Sequence, residues 1–486
     1  MIEFFSRKKG LFWIAFICGF YPMVFYCSNN FYAVNSLGHL AYFAAFFIGL
    51  SLVAFGLLEV FFGVVKKLRK FRPHAIFVSV IMVTATLMSY AIRLRLQKKV
   101  LLAIVVVSIL LSLKLHDRFR KLTILIGIMA LLPFLNIFLK LYQQNKTAPW
   151  TELAADIKDI QLQEKPNIYM IQPDGYVNQT MMKGPLYKHQ TQFFDWLRAK
   201  DFTLYDNFRS NYPASIPSNA SLFTMQHHYF GEVFFSELEM PMGREMISGQ
   251  NTTNYVLQQN GYQTHFLAQD EYFQQNLKLG EFDYYNINKE EIPFFSRGDE
   301  RVKVLQDDLR EVLQQQSTSP RFVFIEKLLP HHIHYVAQEN QIEAERVEYI
   351  EKIEEVNDWL TETVEMIEAA DPNAIVIVLA DHGGWVGMTS YPDMFTTEDE
   401  ANINSIFSSI AAIKWNGHLQ EGYDGELRST VNLFRVLFAN LAKNDSYLQQ
   451  MEDNSSYNLH RENSYRNSVY KVLDDQGNTT FIPYKK

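Results

Sequence analysis

The chain has 486 residues, a length that accommodates two or three domains, and its formal net charge is -8. A net negative protein has no general electrostatic attraction for nucleic acid, so we predict no nucleic-acid partner. Both cysteines, Cys18 and Cys27, lie in the first apolar block of the sequence. The remainder of the chain therefore cannot contain a disulfide bond.

The N-terminal part of the chain is built from apolar blocks that are separated by basic clusters. A transmembrane helix needs about 20 apolar residues; four of the five blocks satisfy this requirement, and the fourth in order is short. We therefore predict an N-terminal α-helical membrane bundle of about five helices over residues 1–142. The blocks run over residues 11–27, 37–65, 75–92, 100–113 and 122–142.

The positions of Lys and Arg in the short loops predict the orientation of this bundle. With a cytoplasmic N-terminus, the cluster KKLRKFR (66–72) and the basic residues around Arg118 lie inside. An odd number of spans then places everything after Tyr142 outside the cytoplasm. The basic residues of loop 93–99 would also lie outside, which opposes this orientation, but the inside total is larger.

Residues 143–165 are polar and are predicted to be a linker on the membrane surface, and residues 166–486 are predicted to form a globular domain. Strand-like apolar runs alternate there with amphipathic helical stretches, the longest over residues 342–370. This alternation is typical of a parallel sheet covered by helices on both faces. The predicted strands cover residues 167–172, 202–208, 263–268, 321–328, 374–380 and 408–415.

Two of these strands end in residues that can bind a metal. IVIVLADHGGW (375–385) runs from aliphatic residues directly into Asp381 and His382, and the first strand ends in Asp174. In open α/β sheets, ligands bind beyond the carboxyl ends of the strands. Two carboxylates and an imidazole suit zinc or manganese, which can activate a coordinated hydroxyl. Taken alone, Asp-His-Gly is more often a capped turn with a structural histidine.

Five motifs, in this order, resemble those of a known family. The sequence resembles the bacterial membrane-anchored sulfatase-like proteins of the alkaline phosphatase superfamily, which include lipoteichoic acid synthases and lipid A phosphoethanolamine transferases. This resemblance implies a membrane bundle followed by an extracytoplasmic α/β sandwich domain of alkaline phosphatase/sulfatase type with a mostly parallel central sheet. The motifs are IQPDGY (171–176), SNYPASIPSNASL (210–222), PHHIHY (330–335), LADHGG (379–384) and TVNLFRVLFAN (430–440).

The resemblance also assigns roles to residues. It makes Asp174, Ser215, Asp381 and His382 ligands of a catalytic divalent metal, zinc or manganese. Ser215 falls on the position of the nucleophile, and His331 matches a Pro-His element that contacts substrate. Ser215 precedes Pro217 at an expected helix start, where backbone N–H groups favour a phosphate. These roles have alternatives. Ser215 could serve only as a helix cap, and the histidines could belong to a surface turn formed by His331, His332 and His334.

Two positions depart from the family pattern. Asn219 stands where the sulfatase signature has an Arg that belongs to the signal for conversion to formylglycine. Direct use of the Ser215 hydroxyl is therefore favoured over sulfate-ester hydrolysis. Glu326 occupies a position where relatives often have His, which weakens the case for a second metal.

Three functions are compatible with these observations. The first is transfer of a phospholipid head group, of phosphoethanolamine or glycerol phosphate type, onto an envelope glycan or lipid-linked glycan through a covalent intermediate on Ser215. The second is a membrane-anchored hydrolase of phosphate or sulfate esters, and the third is an inactive scaffold in envelope glycan assembly. The resemblance implies a multi-pass protein of the bacterial inner membrane with a periplasmic or extracellular catalytic domain.

Overall fold

The computed structural model describes residues 10–31, 34, 36–93, 95–145, 148–229, 240–275, 280–296, 298–299, 301–331, 340–463 and 466–484. The chain divides into two compact units, Met1–Lys146 and Thr147–Lys486.

The first unit is helical. Four helical stretches are long and apolar enough to cross a membrane: Gly10–Asn29, Leu37–Val64, Lys66–Arg93 and Lys98–Tyr142. The α-helices are α1 (Gly10–Asn29), α2 (Leu37–Phe43), α3 (Leu50–Val64), α4 (Arg72–Arg93), α5 (Lys98–Leu115) and α6 (Phe119–Asn145). The fourth predicted block forms α5, which a short 3-10 turn joins to α6, so that the two helices belong to one candidate stretch. The number of crossings stays a prediction.

Close packing inside this unit depends on small side chains. A Cβ atom on Gly19 of α1 would lie 2.5 Å from the backbone oxygen of Phe47, in the π-helical turn Ala44–Gly49 that connects α2 to α3. The absence of a side chain at Gly19 therefore lets the two helical backbones touch. Cys18 and Cys27 are both buried thiols that form no disulfide.

The second unit is built around a seven-stranded mixed sheet. Its strand order is β2-β7-β6-β1-β5-β3-β4. β1 pairs in parallel with β5 and β6, and β3 pairs in parallel with β5 and β4, whereas β7 is antiparallel to β6 and to β2. The predicted mostly parallel sheet is confirmed. The strands are β1 (Ile168–Asp174), β2 (Thr203–Leu204), β3 (Gln263–Ala268), β4 (Tyr284–Tyr285), β5 (Arg321–Pro330), β6 (Ile375–Leu379) and β7 (Ala411–Lys414).

Helices cover both faces of this sheet, as predicted. Alternate residues of β1 enter different core layers: Met170 packs with Phe223 of one helix, and Ile171 packs with Ile353 of another. The helix predicted over residues 342–370 is present as α13. The helices are α7 (Gln179–Lys183), α8 (Phe193–Ala199), α9 (Ser215–Thr224), α10 (Gly243–Ser248), α11 (Thr252–Gln259), α12 (Leu305–Gln314), α13 (Gln341–Ala370), α14 (Glu400–Phe407) and α15 (Leu433–Ala442).

Two parts of this unit differ from the sequence-based expectations. The strand expected over residues 202–208 is only the two-residue β2, because the N–H of Phe208 bonds back to the carbonyl oxygen of Tyr205 and the chain turns there. A second, antiparallel sheet follows α15 and consists of β8 (Ser456–Asn463), β9 (Arg466–Leu473) and β10 (Thr479–Pro483). Its strands are rich in polar residues, and only one face joins a core, so their apolar signal is weak.

The segment predicted to be a linker also differs from expectation. Among its described residues, Ile157 and Ile160 are fully buried in the main core of the second unit. The backbone N–H groups of Gln163 and Glu164 both donate to the carbonyl of Leu441 in α15. The apolar residues at 154, 157, 160 and 162 explain this packing, because they are spaced closely enough to line one side of the segment.

Candidate active site

Neighbouring strands β1 and β6 carry the residues that the sequence predicts to bind a metal. Ile171 of β1 lies opposite Val378 of β6. Asp174 comes three residues after Ile171, and Asp381 comes three residues after Val378. Every residue of both strands is buried. Gly175 follows Asp174 with a φ of 74°, a left-handed conformation that favours glycine and turns the chain at the strand tip.

Asp174, Asp381 and His382 form one buried cluster. One ligand atom from each residue lies within 4.8 Å of the other two. Nε2 of His382 is 3.3 Å from Oδ1 of Asp174 and 3.6 Å from Oδ2 of Asp381. Oδ1 of Asp381 accepts hydrogen bonds from the backbone N–H groups of Gly175 and His382, at 3.1 and 2.9 Å. The donor set of two carboxylates and one imidazole fits a divalent cation.

The main chain orients the imidazole of His382. Its Nδ1–H donates to the carbonyl oxygen of Gly383 at 2.6 Å, which directs Nε2 toward the two carboxylates. Burial lowers the pKa of His382, but the charges of Asp381 and Asp174 outweigh burial and raise it to about 9. The two carboxylates therefore require a positive charge beside them, and a bound cation would supply it in place of the proton.

Ser215 lies beside this cluster. It is the first residue of α9, and Ala214 before it occupies the cap position, so the Ser215 hydroxyl is not used as a helix cap. Its Oγ lies 3.4 Å from Oδ1 of Asp174. Ser218, one turn further, donates to the carbonyl oxygen of Asp381 at 2.5 Å and holds the helix against the tip of β6. The hydroxyl thus lies at the positive end of a helix, next to the carboxylates.

His331 also contacts Asp174. Its Nδ1 is 2.9 Å from Oδ2 of Asp174, and its backbone N–H donates to the carbonyl oxygen of the same residue at 3.0 Å. Burial opposes protonation of His331, but the hydrogen bond and charge of Asp174 raise its pKa. The side chain is 48% exposed, so it can reach a molecule in solution. His332 and His334 lie outside the described residues.

The structure therefore brings Asp174, Ser215, His331, Asp381 and His382 together, and their catalytic roles stay predictions. Sequence analysis did not identify Tyr349 of α13 as a supporting residue. Its hydroxyl donates to the carbonyl oxygen of Gly175 at 2.7 Å and accepts from the N–H of Val177 at 3.1 Å, which fixes the turn after Asp174. A tyrosine within a long amphipathic helix carries no sequence signal for this role.

Comparisons with known proteins were made for the sequence and for the fold. The C-terminal periplasmic domain of EptC from Escherichia coli, solved in complex with Zn, is 15% identical, with 64% of this chain and 95% of that chain covered and a TM-score of 0.43. The soluble domain of lipooligosaccharide phosphoethanolamine transferase A from Neisseria meningitidis is 13% identical, with coverages of 61% and 94% and a TM-score of 0.42.

A third similar structure is BT33494S-sulf, from glycosaminoglycan metabolism in Bacteroides thetaiotaomicron. It is 13% identical, with coverages of 66% of this chain and 89% of that chain and a TM-score of 0.43. No curated protein sequence matches the chain.

The family model named Sulfatase matches residues 180–439, more than half of the chain. This range begins just after Asp174 and includes Ser215, His331, Asp381 and His382. The predicted resemblance to sulfatase-like proteins is confirmed, and with it the expectation of an enzyme that is a sulfatase-like transferase or hydrolase. With a sulfatase-type α/β domain and a carboxylate and imidazole cluster at its strand tips, this chain belongs to the sulfatase family.

Proposed function

We propose that this protein is a metal-dependent phosphoryl-group transferase that moves a phospholipid head group onto an envelope glycan through a covalent intermediate on Ser215. The head group is of phosphoethanolamine or glycerol phosphate type. The observation that carries the proposal is the position of the Ser215 hydroxyl at the start of α9. Its oxygen lies 3.4 Å from Oδ1 of Asp174, which forms the candidate metal cluster with Asp381 and His382. A hydroxyl at this place has both an activating ligand set and a helix N-terminus that attracts phosphate.

The reaction consists of two displacements at phosphorus. Oγ of Ser215 attacks the phosphodiester, the bond from phosphorus to the diacylglycerol oxygen breaks, and the proton of the Ser215 hydroxyl passes to that oxygen. A hydroxyl of the glycan then attacks the serine-bound phosphorus, the bond from phosphorus to Oγ breaks, and the proton of the glycan hydroxyl returns to Oγ of Ser215. Zinc or manganese, held by Asp174, Asp381, His382 and Ser215, would lower the pKa of the hydroxyl and neutralise charge on the phosphoryl oxygens. His331, anchored to Asp174, would contact the phosphoryl group.

The membrane unit favours a lipid donor. Four helical stretches in the described part of the first unit are long and apolar enough to span a bilayer, and they belong to the same chain as the candidate site. A covalent tether of this kind keeps the enzyme in the membrane that contains its donor. We propose a multi-pass protein of the bacterial inner membrane, with residues 166–486 as a periplasmic or extracellular catalytic domain.

Ester hydrolysis is the second candidate, and the sulfatase family assignment favours it. Water and a glycan hydroxyl differ only as the acceptor in the second displacement. Asn219, at the position of the Arg in the sulfatase signature, supports direct use of the serine hydroxyl in either case.

The test is a single-turnover incubation of the full-length protein in detergent with phosphatidylethanolamine or phosphatidylglycerol labelled in the head group. Wild-type protein is expected to release diacylglycerol and to carry the labelled head group on the peptide that contains Ser215, as measured by mass spectrometry. The S215A variant is expected to show neither product. The matched control is S221A, on the same helix, because the Ser221 hydroxyl bonds only to the Ser218 carbonyl among the described residues.

Each outcome decides between the candidates. A Ser215 adduct that passes to added glycan supports the transferase, whereas an adduct released only to water supports the hydrolase. Intact lipid together with cleavage of simple aryl esters would contradict the lipid-dependent function.

A further inference from the structure

A cavity of about 360 Å³ lies in the second unit, beside the start of α9, and we call it the α9 cavity. Ala214 and Ile216, the residues on either side of Ser215, both line it. The three residues of the candidate metal cluster are not among the described residues that line it. Its volume falls at the lower end of the range of about 300–1,000 Å³ that small-molecule sites occupy.

The α9 cavity lies at the same edge of the sheet as the metal cluster. Tyr272 lines it from the segment that follows β3, and Tyr391 and Phe395 line it from the segment that follows β6. A row of rings connects the two places. The ring centroid of Tyr391 lies 5.3 Å from that of Trp385, and the Trp385 ring stacks on the ring of His382 at 5.6 Å. A ligand in the cavity would therefore be close to the proposed reaction centre.

The walls of the α9 cavity are largely aromatic. In addition to the three rings that follow β3 and β6, Tyr212 lines it from the segment before α9, and Tyr457 lines it from β8 of the C-terminal sheet. The face of an aromatic ring carries partial negative charge, which attracts the C–H bonds on the face of a sugar ring.

Two polar side chains also stand in these walls. Arg244 of α10 donates through Nε to the carbonyl oxygen of Tyr272 at 2.8 Å and through Nη2 to Oε1 of Gln275 at 3.1 Å. Nδ2 of Asn458 donates to the carbonyl oxygen of Met394 at 2.7 Å, whereas its Oδ1 has no hydrogen-bond partner among the described residues. These bonds fix both side chains, and Asn458 retains an acceptor that an O–H group of a ligand would satisfy.

These walls discriminate between the two substrates of the proposed reaction. An acyl chain of the lipid donor would offer no hydrogen bond to the Asn458 oxygen and would place methylene groups against the charged Arg244, and both contacts are unfavourable. A sugar ring instead offers C–H groups to the aromatic rings and O–H groups to the amide oxygen. The chemistry of the walls therefore fits the acceptor glycan and not the acyl chains.

We propose that the α9 cavity binds one sugar residue of the acceptor glycan, packed against Tyr391 and hydrogen-bonded to Asn458. This inference rests on the proposed function, because it assigns a site to the acceptor of that reaction. Binding of the sugar itself requires neither lipid nor turnover, so it can be measured apart from the transfer reaction.

The first test is saturation-transfer difference NMR on the full-length protein, in a detergent without a sugar head group. The probes are the methyl glycosides of glucose, galactose, mannose and N-acetylglucosamine. Irradiation of the aromatic protons is expected to saturate the ring protons of at least one glycoside, both in the wild type and in S215A. Absence of saturation transfer to all four overturns the proposal.

This design separates the sugar site from the transferase function, because S215A cannot form the covalent intermediate. Sugar binding without a Ser215 adduct in the wild type would retain the site and contradict the transferase. A Ser215 adduct without sugar binding would retain the transferase and overturn the site.

The second test compares variants, with the glycoside that binds best as probe and as acceptor. Y391A is expected to raise both the Kd of the glycoside and its KM in transfer by about tenfold, because one aromatic wall is lost. Y391F retains the ring and should behave like the wild type. The matched control is Y470A, which removes a half-buried tyrosine of β9 that does not line the cavity, and it should keep wild-type values.

Two results of the variant comparison would contradict the acceptor site. Unchanged glycoside binding by Y391A, in protein that melts at the wild-type temperature, would exclude the sugar from this cavity. A higher KM for the lipid with an unchanged KM for the glycoside would assign the cavity to the donor.

Discussion

His227 and His228 are buried side by side after α9, and burial keeps both rings neutral. Nε2–H of His227 donates to the carbonyl oxygen of Asp453 at 2.7 Å, so its Nδ1, 3.0 Å away, accepts from the Tyr212 hydroxyl. Nε2–H of His228 donates to the carbonyl oxygen of Pro217 at 2.9 Å. Burial lowers the pKa of His227 to about 4 and that of His228 to about 3. Their role is therefore packing around the start of α9.

Because the pKa values of these two histidines are lowered in the folded state, we predict that the protein loses stability in acid. The pKa values of both histidines in the folded state lie below the ordinary value of about 6.5. Between pH 6.5 and about 4, the histidines are therefore protonated in the unfolded state but not in the folded state. The stabilisation is complete above pH 6.5 and is lost as the pH falls, by up to about 1.4 kcal/mol per histidine and pH unit. Thermal unfolding of the full-length protein between pH 7 and 4.5 measures this loss.

The contribution of the histidines is isolated by comparing variants. The H227Q/H228Q double variant should show a shallower fall in melting temperature than the wild type, because glutamine cannot be protonated in this range. H189Q, at a half-buried histidine of the same unit, is the control and should keep the wild-type slope. Equal slopes for all three proteins would show that other groups cause the acid instability.

At the scale of secondary-structure elements, the tip of β6 is fitted tightly against the end of α14. The N–H of Gly383 donates to the carbonyl oxygen of Ile406 at 2.7 Å. A Cβ atom at Gly383 would lie 2.0 Å from the backbone oxygen of Ser405 and 2.5 Å from that of Ser408. No side chain can move away to relieve these contacts, so α14 determines where Asp381 and His382 lie.

The G383A variant should therefore be destabilised and should bind less metal. Forcing a methyl group against two carbonyl oxygens requires the backbone to shift, at a cost on the order of 3 kcal/mol. The control is G425A, because a Cβ atom at Gly425 would meet no atom within 4 Å. Melting temperature and metal content, measured together, test the prediction. A G383A protein with wild-type values for both would show that the strand tip has room to move.

At the scale of the whole molecule, the sequence predicts on which side of the membrane the second unit lies. The arrangement of basic loops predicts that it lies outside the cytoplasm. Both native cysteines are in the first unit and are buried, so a single cysteine introduced at an exposed position reports on its own side of the membrane.

We expect D445C, in the second unit, to react with a membrane-impermeant maleimide in intact cells. K67C, in a basic loop predicted to be cytoplasmic, should react only after the cells are lysed. Both positions are exposed in the structure, and both variants are made after replacing Cys18 and Cys27 by serine. Labelling of K67C but not D445C in intact cells would reverse the predicted orientation.

The strand tips could be identified from the sequence because their signal is local. The aliphatic run that leads into Asp381 and His382, and the shorter run that leads into Asp174, predict strands whose carboxyl ends carry ligands. Likewise, the apolar blocks predict membrane-spanning helices from length and composition alone. The C-terminal antiparallel sheet was not predicted, because β8 is mostly polar, half of β9 is polar, and the two strands pair with each other along their length.

The amino-acid sequence is enough to predict the division into an apolar helical unit and an α/β unit, the parallel core strands, and the ligand types at two strand tips. The division and the strands follow from hydropathy and its period along the chain, and the ligand types follow from the residues that end the two strands. The folded structure is needed to show that β1 and β6 are neighbours, that Ser215 lies beside Asp174, and that Tyr349 bonds to the turn after Asp174. The physical reason is that these contacts join residues far apart in the sequence, whose proximity depends on strand order and helix packing.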